Sequence, residues 1–230
     1  MKTVKFLLPA IFFIASFTMT FAQDCGYFPT KKGATISYEN RDGKDKVTGK
    51  NKTTITDVVI QPNGTTYKVL AESWDAKDKQ VGSNEYAMRC EGGVFIIEAR
   101  SLVDSKTLAQ YKDMEVEVKG TDITYPRGLA VGSKLPNAEV ILIAKSGGVQ
   151  IINMTISLVN REVVAEESVT TPAGTFTCYK LTYDVNTKMM FSFSAKVTEW
   201  INKGAGTVKS ETYDSKGKLA STMVMTEFKP

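Results

Sequence analysis

The chain contains no histidine. That absence removes Ser-His-Asp hydrolases, Cys-His proteases and most zinc enzymes together, because each needs an imidazole as base or ligand. No Gly-x-Ser-x-Gly is present either. A single Ser-x-x-Lys, Ser215 to Lys218, contains Gly217 and reads as a hairpin tip, whereas a catalytic pair at that spacing needs a helix to bring its side chains together. An excess of one charge is also missing. The 29 basic side chains stand against 25 acidic ones and are interspersed with them, so no basic face for nucleic acid forms. Cysteine is scarce: Cys25, Cys90 and Cys178 permit one disulfide and one spare thiol, with three pairings.

A bilayer-spanning run is lacking as well. Phe6 to Phe17 is apolar but shorter than the roughly 20 residues a membrane helix needs. With Lys2 and Lys5 before it and Thr20-Phe21-Ala22 after it, residues 1–22 read as a signal peptide. The mature chain then starts at Gln23, carries no transmembrane span, and is exported to the periplasm, the cell surface or the medium. Asp24 stands where lipid attachment at Cys25 would want a small residue, so Cys25 is not read as a lipidation site. In an oxidising compartment the favoured disulfide is Cys25 with Cys90, since both lie beside loop signals while Cys178 lies within a strand, as a buried, inert thiol.

What is present is period-two alternation over most of 208 residues, read as a single all-β domain at 23–230. The strongest stretch starts at Val169. Pro172-Ala173-Gly174 makes a turn, and beyond it Thr177, Tyr179, Leu181, Tyr183 and Val185 share one strand face while Phe176, Cys178, Lys180, Thr182 and Asp184 share the other. Asn63-Gly64 closes a hairpin. Tyr27, Phe28 and Pro29 are expected to tuck over one end of the core. One short helix is predicted over Asp104 to Lys112, where Leu108 and Tyr111 repeat at three and Asp104 or Ser105 can cap. Pro126, Gly128, Gly132 and Pro136 mark 125–137 either as a joint between two halves or as a long surface loop within one sheet; the chain length favours the loop.

Two segments echo one another, Glu72 to Lys79 and Glu211 to Lys218. Duplication would produce this, and so would shared turn chemistry, in which Asp tolerates the turn, Gly takes a positive φ and Lys solvates the tip. No loop spaces its carboxylates as a calcium site does, and no metal or cofactor is expected. Asp113, Glu115 and Glu117 alternate as a solvated strand face does.

Several motifs occur in order: Asp24-Cys25 with Tyr27-Phe28-Pro29, Leu135-Pro136-Asn137, Asn160-Arg161, Thr171 through Lys180, Glu199-Trp200 and Gly206 through Lys218. Together they resemble the TapB-like family of exported Bacteroidetes proteins, related to envelope domains of unknown function that carry a Pro-Ala-Gly-Thr-Phe turn. The resemblance implies a large, curved antiparallel sheet or half-open barrel, similar to periplasmic lipoprotein carriers, and carries over no catalytic residue. The expected function is a non-catalytic binding module for an apolar ligand or lipid. Its candidate residues are Met154, Met189, Phe191, Phe193 and Trp200, because methionine adapts to irregular partners; on a separate, enzymatic reading Trp200 could join Tyr179 and Tyr183 as a sugar-stacking platform. Such a stripe is more often core than pocket. The alternative is an envelope structural or protein-interaction module without a small-molecule ligand, which docks partners along an exposed edge.

Overall fold

The period-two segments become strands because one set of side chains can be buried while the other meets water. The computed structural model describes residues 25–230, so the expected leader at 1–22 lies outside the described residues. Thirteen strands follow one another: β1 (Thr35–Asp42), β2 (Val47–Gln61), β3 (Gly64–Asp75), β4 (Gln80–Glu91), β5 (Val94–Ile97), β6 (Glu115–Thr121), β7 (Ile123–Tyr125), β8 (Ala138–Ser146), β9 (Val149–Thr171), β10 (Gly174–Lys188), β11 (Ser192–Asn202), β12 (Gly206–Tyr213) and β13 (Leu219–Lys229). They form one antiparallel sheet, nearly closed into a barrel, in the order β6-β8-β9-β10-β11-β12-β13-β1-β2-β3-β4-β5-β7.

The two free edges of this sheet, β6 and β7, are consecutive in sequence and separated only by Asp122. One run of chain therefore pairs with β8, crosses the seam and pairs with β5. Gly120 prepares the crossing, since its φ is +150° and a Cβ there would collide with the carbonyl oxygen of Glu139. Asp122 then pins it, accepting from Arg89 Nη2 at 2.7 Å and from the Ala99 amide at 3.0 Å. A 3-10 turn (Ala99–Leu102) and a single helix, α1 (Ser105–Gln110), connect β5 to β6. Asp104 caps α1 by accepting from the Thr107 amide at 2.9 Å, and Leu108 is the apolar residue it buries.

β9 is one strand of 23 residues where the sequence reads as two, Gln150 to Arg161 and Glu162 to Val169. The physical reason lies at Asn160. Its φ is +56°, the ladder with β10 slips there, and the inward-facing set changes from Leu158 to Arg161 and Val163. An extra residue in one strand switches side-chain parity, so a continuous strand looks broken to a period-two reading.

Segment 126–137 links β7 to β8 within this sheet and forms a plug over one end of the barrel. Leu129 and Leu135 enter the main core, and residues 132–135 continue the pairing of β9 beyond the end of β8. The lead-in packs against it: the Tyr27 hydroxyl accepts from the Leu129 amide at 3.0 Å and donates to the Pro126 carbonyl at 3.2 Å. Cys25 is bonded to Cys90, which fastens the lead-in to β4. Cys178 is buried and free, and burial pushes its thiol up to about 11, so it holds its proton.

At the opposite end of the barrel are the β1–β2, β3–β4 and β12–β13 hairpin tips, and these three share one construction. The carboxylates of Asp42, Asp75 and Asp214 each accept from the backbone amides two and four residues later, at 2.8–3.0 Å, and Asp45, Asp78 and Gly217 take the positive φ. The echoing residues 72–79 and 211–218 share this turn chemistry, and 42–46 has it too.

Candidate functional site

Inside the barrel is a cavity of about 550 Å³, a size suited to a small ligand. Its floor is aromatic. Tyr27 and Tyr125 lie 6.1 Å apart between ring centroids, Phe28 and Phe95 6.3 Å, and Phe95 and Tyr125 6.3 Å. Its walls take one or two side chains from each of several strands: Tyr38 from β1, Tyr86 and Met88 from β4, Leu158 from β9, Tyr183 from β10, Ile201 from β11 and Met223 from β13. Thr48, Trp74, Val81 and Lys106 border it toward the hairpin-tip end. Alternation explains the convergence, because every strand of a closed sheet points half its side chains at the axis.

One carboxyl, Glu199, sits among these rings, and Glu72, Asp104 and Lys106 also line the cavity. Glu199 on β11 lies opposite Leu181 of β10 and faces the cavity with Tyr183. Thr207 Oγ1 donates to its carboxylate at 2.6 Å, and the Tyr183 hydroxyl also bonds it. The Glu199 side chain is half-buried, open to the cavity and surrounded by protein on its other sides. Burial therefore raises its pKa, opposed by the Thr207 bond, by the more distant charge of Arg161 and by the Tyr183 bond. The phenols of Tyr38, Tyr86, Tyr125 and Tyr183 are all pushed above their usual value, chiefly by burial, so they stay neutral and keep a hydroxyl to donate.

Arg161 is 2% exposed and is held by carbonyls rather than by a carboxylate. Nη1 donates to Pro136 at 2.8 Å and to Thr124 at 3.3 Å, and the guanidinium lies 4.9 Å from the centroid of Tyr125. The parity switch at Asn160 is what turns it inward.

The candidate residues named from sequence do not meet in one place. Met189, Phe191 and Phe193 are 42%, 73% and 63% exposed, and neighbouring Met190 is 87% exposed. They occupy the tip of the β10–β11 hairpin, where Ser192 to Ala195 run past the end of β12 and pair only with β10. The expectation that Phe191 lies in a buried stripe is corrected: it stands in the loop, with no strand opposite to cover it. Phe193 borders only a depression shared with polar Thr155, Ser157 and Asn186. Met154 lies next to Thr155, which pairs with Lys188 at the base of that tip, yet it is half-buried and packs against the cluster of Val140 and Leu142.

Trp200 is 6% exposed and packs with Ile36, Cys178, Val208 and Met225. Its Nε1 donates to Glu167 Oε1 at 2.5 Å, with Lys180 Nζ and Lys209 Nζ at 5.1 and 4.9 Å from the ring centroid. The platform with Tyr179 and Tyr183 is also corrected, because those two pack into the other cluster, on the opposite face of the sheet. Among the described residues, no group of three or more acidic, cysteine or histidine side chains could hold a metal, and no helix is long and apolar enough to cross a membrane.

Sequence reasoning passed over Glu199, the carboxyl beside the cavity's tyrosines. A signal was available: Ala195, Val197, Glu199 and Ile201 share one strand parity, so the carboxyl interrupts an apolar stripe.

Comparison with known proteins bears on the fold first. A crystal structure of a Bacteroides fragilis protein assigned as exported, with a YmcC-like fold, superposes with a TM-score of 0.77 at 25% identity, covering 89% of this chain and 99% of that one. A second, of a Parabacteroides distasonis protein assigned as a lipoprotein, superposes with a TM-score of 0.76 at 22% identity, covering 89% and 98%. No curated protein matches the chain. A family model described as DUF3108-like matches residues 31–225.

Proposed function

The chain belongs to the DUF3108-like family, and on that footing we propose that it is an exported cell-envelope protein that binds, without catalysis, a largely apolar ligand inside its barrel. The observation that carries the reading is the cavity of about 550 Å³, lined by aromatic and aliphatic side chains with polar groups among them, Glu199 being the carboxyl beside the tyrosines. Apolar walls supply most of the binding energy through area removed from water, and a few placed polar groups fix orientation. The ligand therefore lies against Tyr38, Tyr125, Tyr183 and Ile201, and not on the Met189 to Phe193 stripe. Export rests on the Lys2 to Ala22 pattern and agrees with the assignments of the two similar structures. The narrower TapB-like relationship, drawn from Pro172-Ala173-Gly174-Thr175-Phe176 and the other ordered motifs, belongs to the same proposal.

Native mass spectrometry of the protein purified from its own host tests it. A reproducible adduct of small-molecule mass, lost on denaturation, is the expected result. Bare protein, with extraction shown to retain lipid on a control carrier, would sink the reading. A second reading, a protein-interaction module, is supported by the exposed tip at Met189, Met190, Phe191 and Phe193, since apolar groups gathered at a protruding tip suit docking. Under that reading, Phe191→Ser with Phe193→Ser abolishes recovery of an envelope partner in a pull-down, and the native mass spectrum of the wild type shows no adduct.

A further inference from the structure

We infer that the polar end of the ligand is a cation, an ammonium group on an apolar body, seated at Glu199 against the tyrosine rings. The inference rests on the cavity reading above and adds the chemical class. Four features of the cavity lead to it.

The Glu199 carboxylate offers about four lone-pair sites, and two donors, Thr207 and Tyr183, address it. Acceptor capacity is left facing the cavity. Among the described residues Glu199 forms no ion pair, unlike the Asp and Glu side chains that pair with lysine or arginine on the surface. Arg161, whose charge reaches it from further away, is committed to the carbonyls of Thr124 and Pro136 and to the Tyr125 ring. A carboxyl enclosed in protein without a cation is an expensive arrangement unless a partner arrives.

The surroundings suit a positive partner and no other charge. Tyr38, Tyr86, Tyr125 and Tyr183 line the same space, and an aromatic face attracts a cation through its quadrupole, more strongly where water is excluded. Their hydroxyls stay protonated, so they add no competing negative charge. An anionic headgroup would meet Glu199 with only Lys106, at the mouth, among the lysines and arginines lining the cavity. A zwitterionic phospholipid would carry its phosphate toward the same carboxylate. The class that satisfies every group is a monocationic amphiphile, with its alkyl part against Leu158, Ile201 and Met88.

The probes are decyltrimethylammonium, decylammonium, decanol and decyl sulfate, titrated calorimetrically below micelle-forming concentrations into the full mature protein. Lysophosphatidylethanolamine is a fifth arm that separates a lipid headgroup amine from a simple alkylamine. We expect both decyl cations to bind about tenfold or more tighter than decanol, with decyl sulfate weakest. In Glu199→Gln that preference collapses toward unity while decanol binds as before. A fall in cation affinity on acidification, with decanol unchanged, is expected as Glu199 takes up its proton.

Equal binding of cation, alcohol and sulfate overturns the cation inference and leaves the cavity reading standing. Failure of every probe to bind overturns both. A cation preference undiminished in folded Glu199→Gln, with native near-UV dichroism, overturns the role given to Glu199. Tightest binding by lysophosphatidylethanolamine overturns the exclusion of the zwitterionic headgroup.

Discussion

Strands β10 and β11 behave differently along their length. From Tyr179 to Val185 and from Val197 to Ile201 they have neighbours on both sides, and the alternation sorts side chains cleanly: Tyr179, Leu181 and Tyr183 inward, Cys178 and Trp200 into a second cluster on the other face. Beyond Asn186 and before Ala195 the same hairpin outruns β12, and Met189, Phe191 and Phe193 face solvent. Apolar character is equal in the two regions; what differs is whether another strand lies alongside. Burial in a sheet is a property of the pair, so a stripe is core only as far as its neighbours extend.

The largest expected effect comes from the inner half. Leu181 is fully buried, and Leu181→Ala should lower stability by about 2–5 kcal/mol through the lost transfer energy and the void left behind. Denaturant melts with unchanged slope check this, and a loss below about 1 kcal/mol would mean that the interior is as loosely covered as the tip.

Next is the floor of the cavity. Cys25→Ser with Cys90→Ser opens a bond between residues 65 apart in sequence and should remove about 2–4 kcal/mol. The lead-in carrying Tyr27 should then exchange its amides faster than the strands do, as hydrogen exchange would reveal.

Glu199→Gln should act in the opposite direction. Burial holds the folded-state pKa of Glu199 above the ordinary 4.5, so within that interval the folded chain binds more protons than the unfolded one. Stability is therefore greatest below the interval and falls as pH rises through it. The variant removes this loss, raising Tm at neutral pH by about 2–4 °C for each kcal/mol recovered in a domain of this size. A wild-type Tm that climbs from pH 4.5 to 7 while the variant's does not would contradict the sign.

Smaller effects belong to the tips. Asp75 accepts two backbone amides in its turn, which hold its carboxyl below the usual range, and Asp75→Ala should lower Tm by a small amount, less than opening the Cys25–Cys90 bond does. The Met189 to Phe191 tip has no such device, and Phe191→Ser should change stability by no more than about 0.5 kcal/mol. A drop of several kcal/mol in a thermal melt would show the tip covered in solution.

Much of the fold was legible. Turn signals and alternation located the β-hairpins, and Asp104 with Leu108 located α1, because those features are encoded over a few neighbouring residues. β7, three residues long, was too short to show a period, and β9 was split because its bulge reverses parity. The exposure of the Met189 to Phe193 stripe was not legible for a related reason: Met and Phe at spacing two report apolarity, and cannot report what stands across from them. Trp200 and Tyr183 look alike as aromatic strand residues, yet they fall on opposite faces of one sheet.

By itself the sequence determined the local and the covalent: an alternating chain with turns at Asn63-Gly64 and Pro172-Ala173, three Asp-Lys tips, and a chemistry without imidazole. Those properties depend on backbone sterics and on residues within hydrogen-bonding reach along the chain. Only the tertiary structure decided that Glu199, Thr207, Tyr38, Tyr125 and Tyr183 surround one space, and that β6 and β7 face each other across a seam. Those outcomes depend on the register and curvature of all thirteen strands together, which no local stretch of residues specifies.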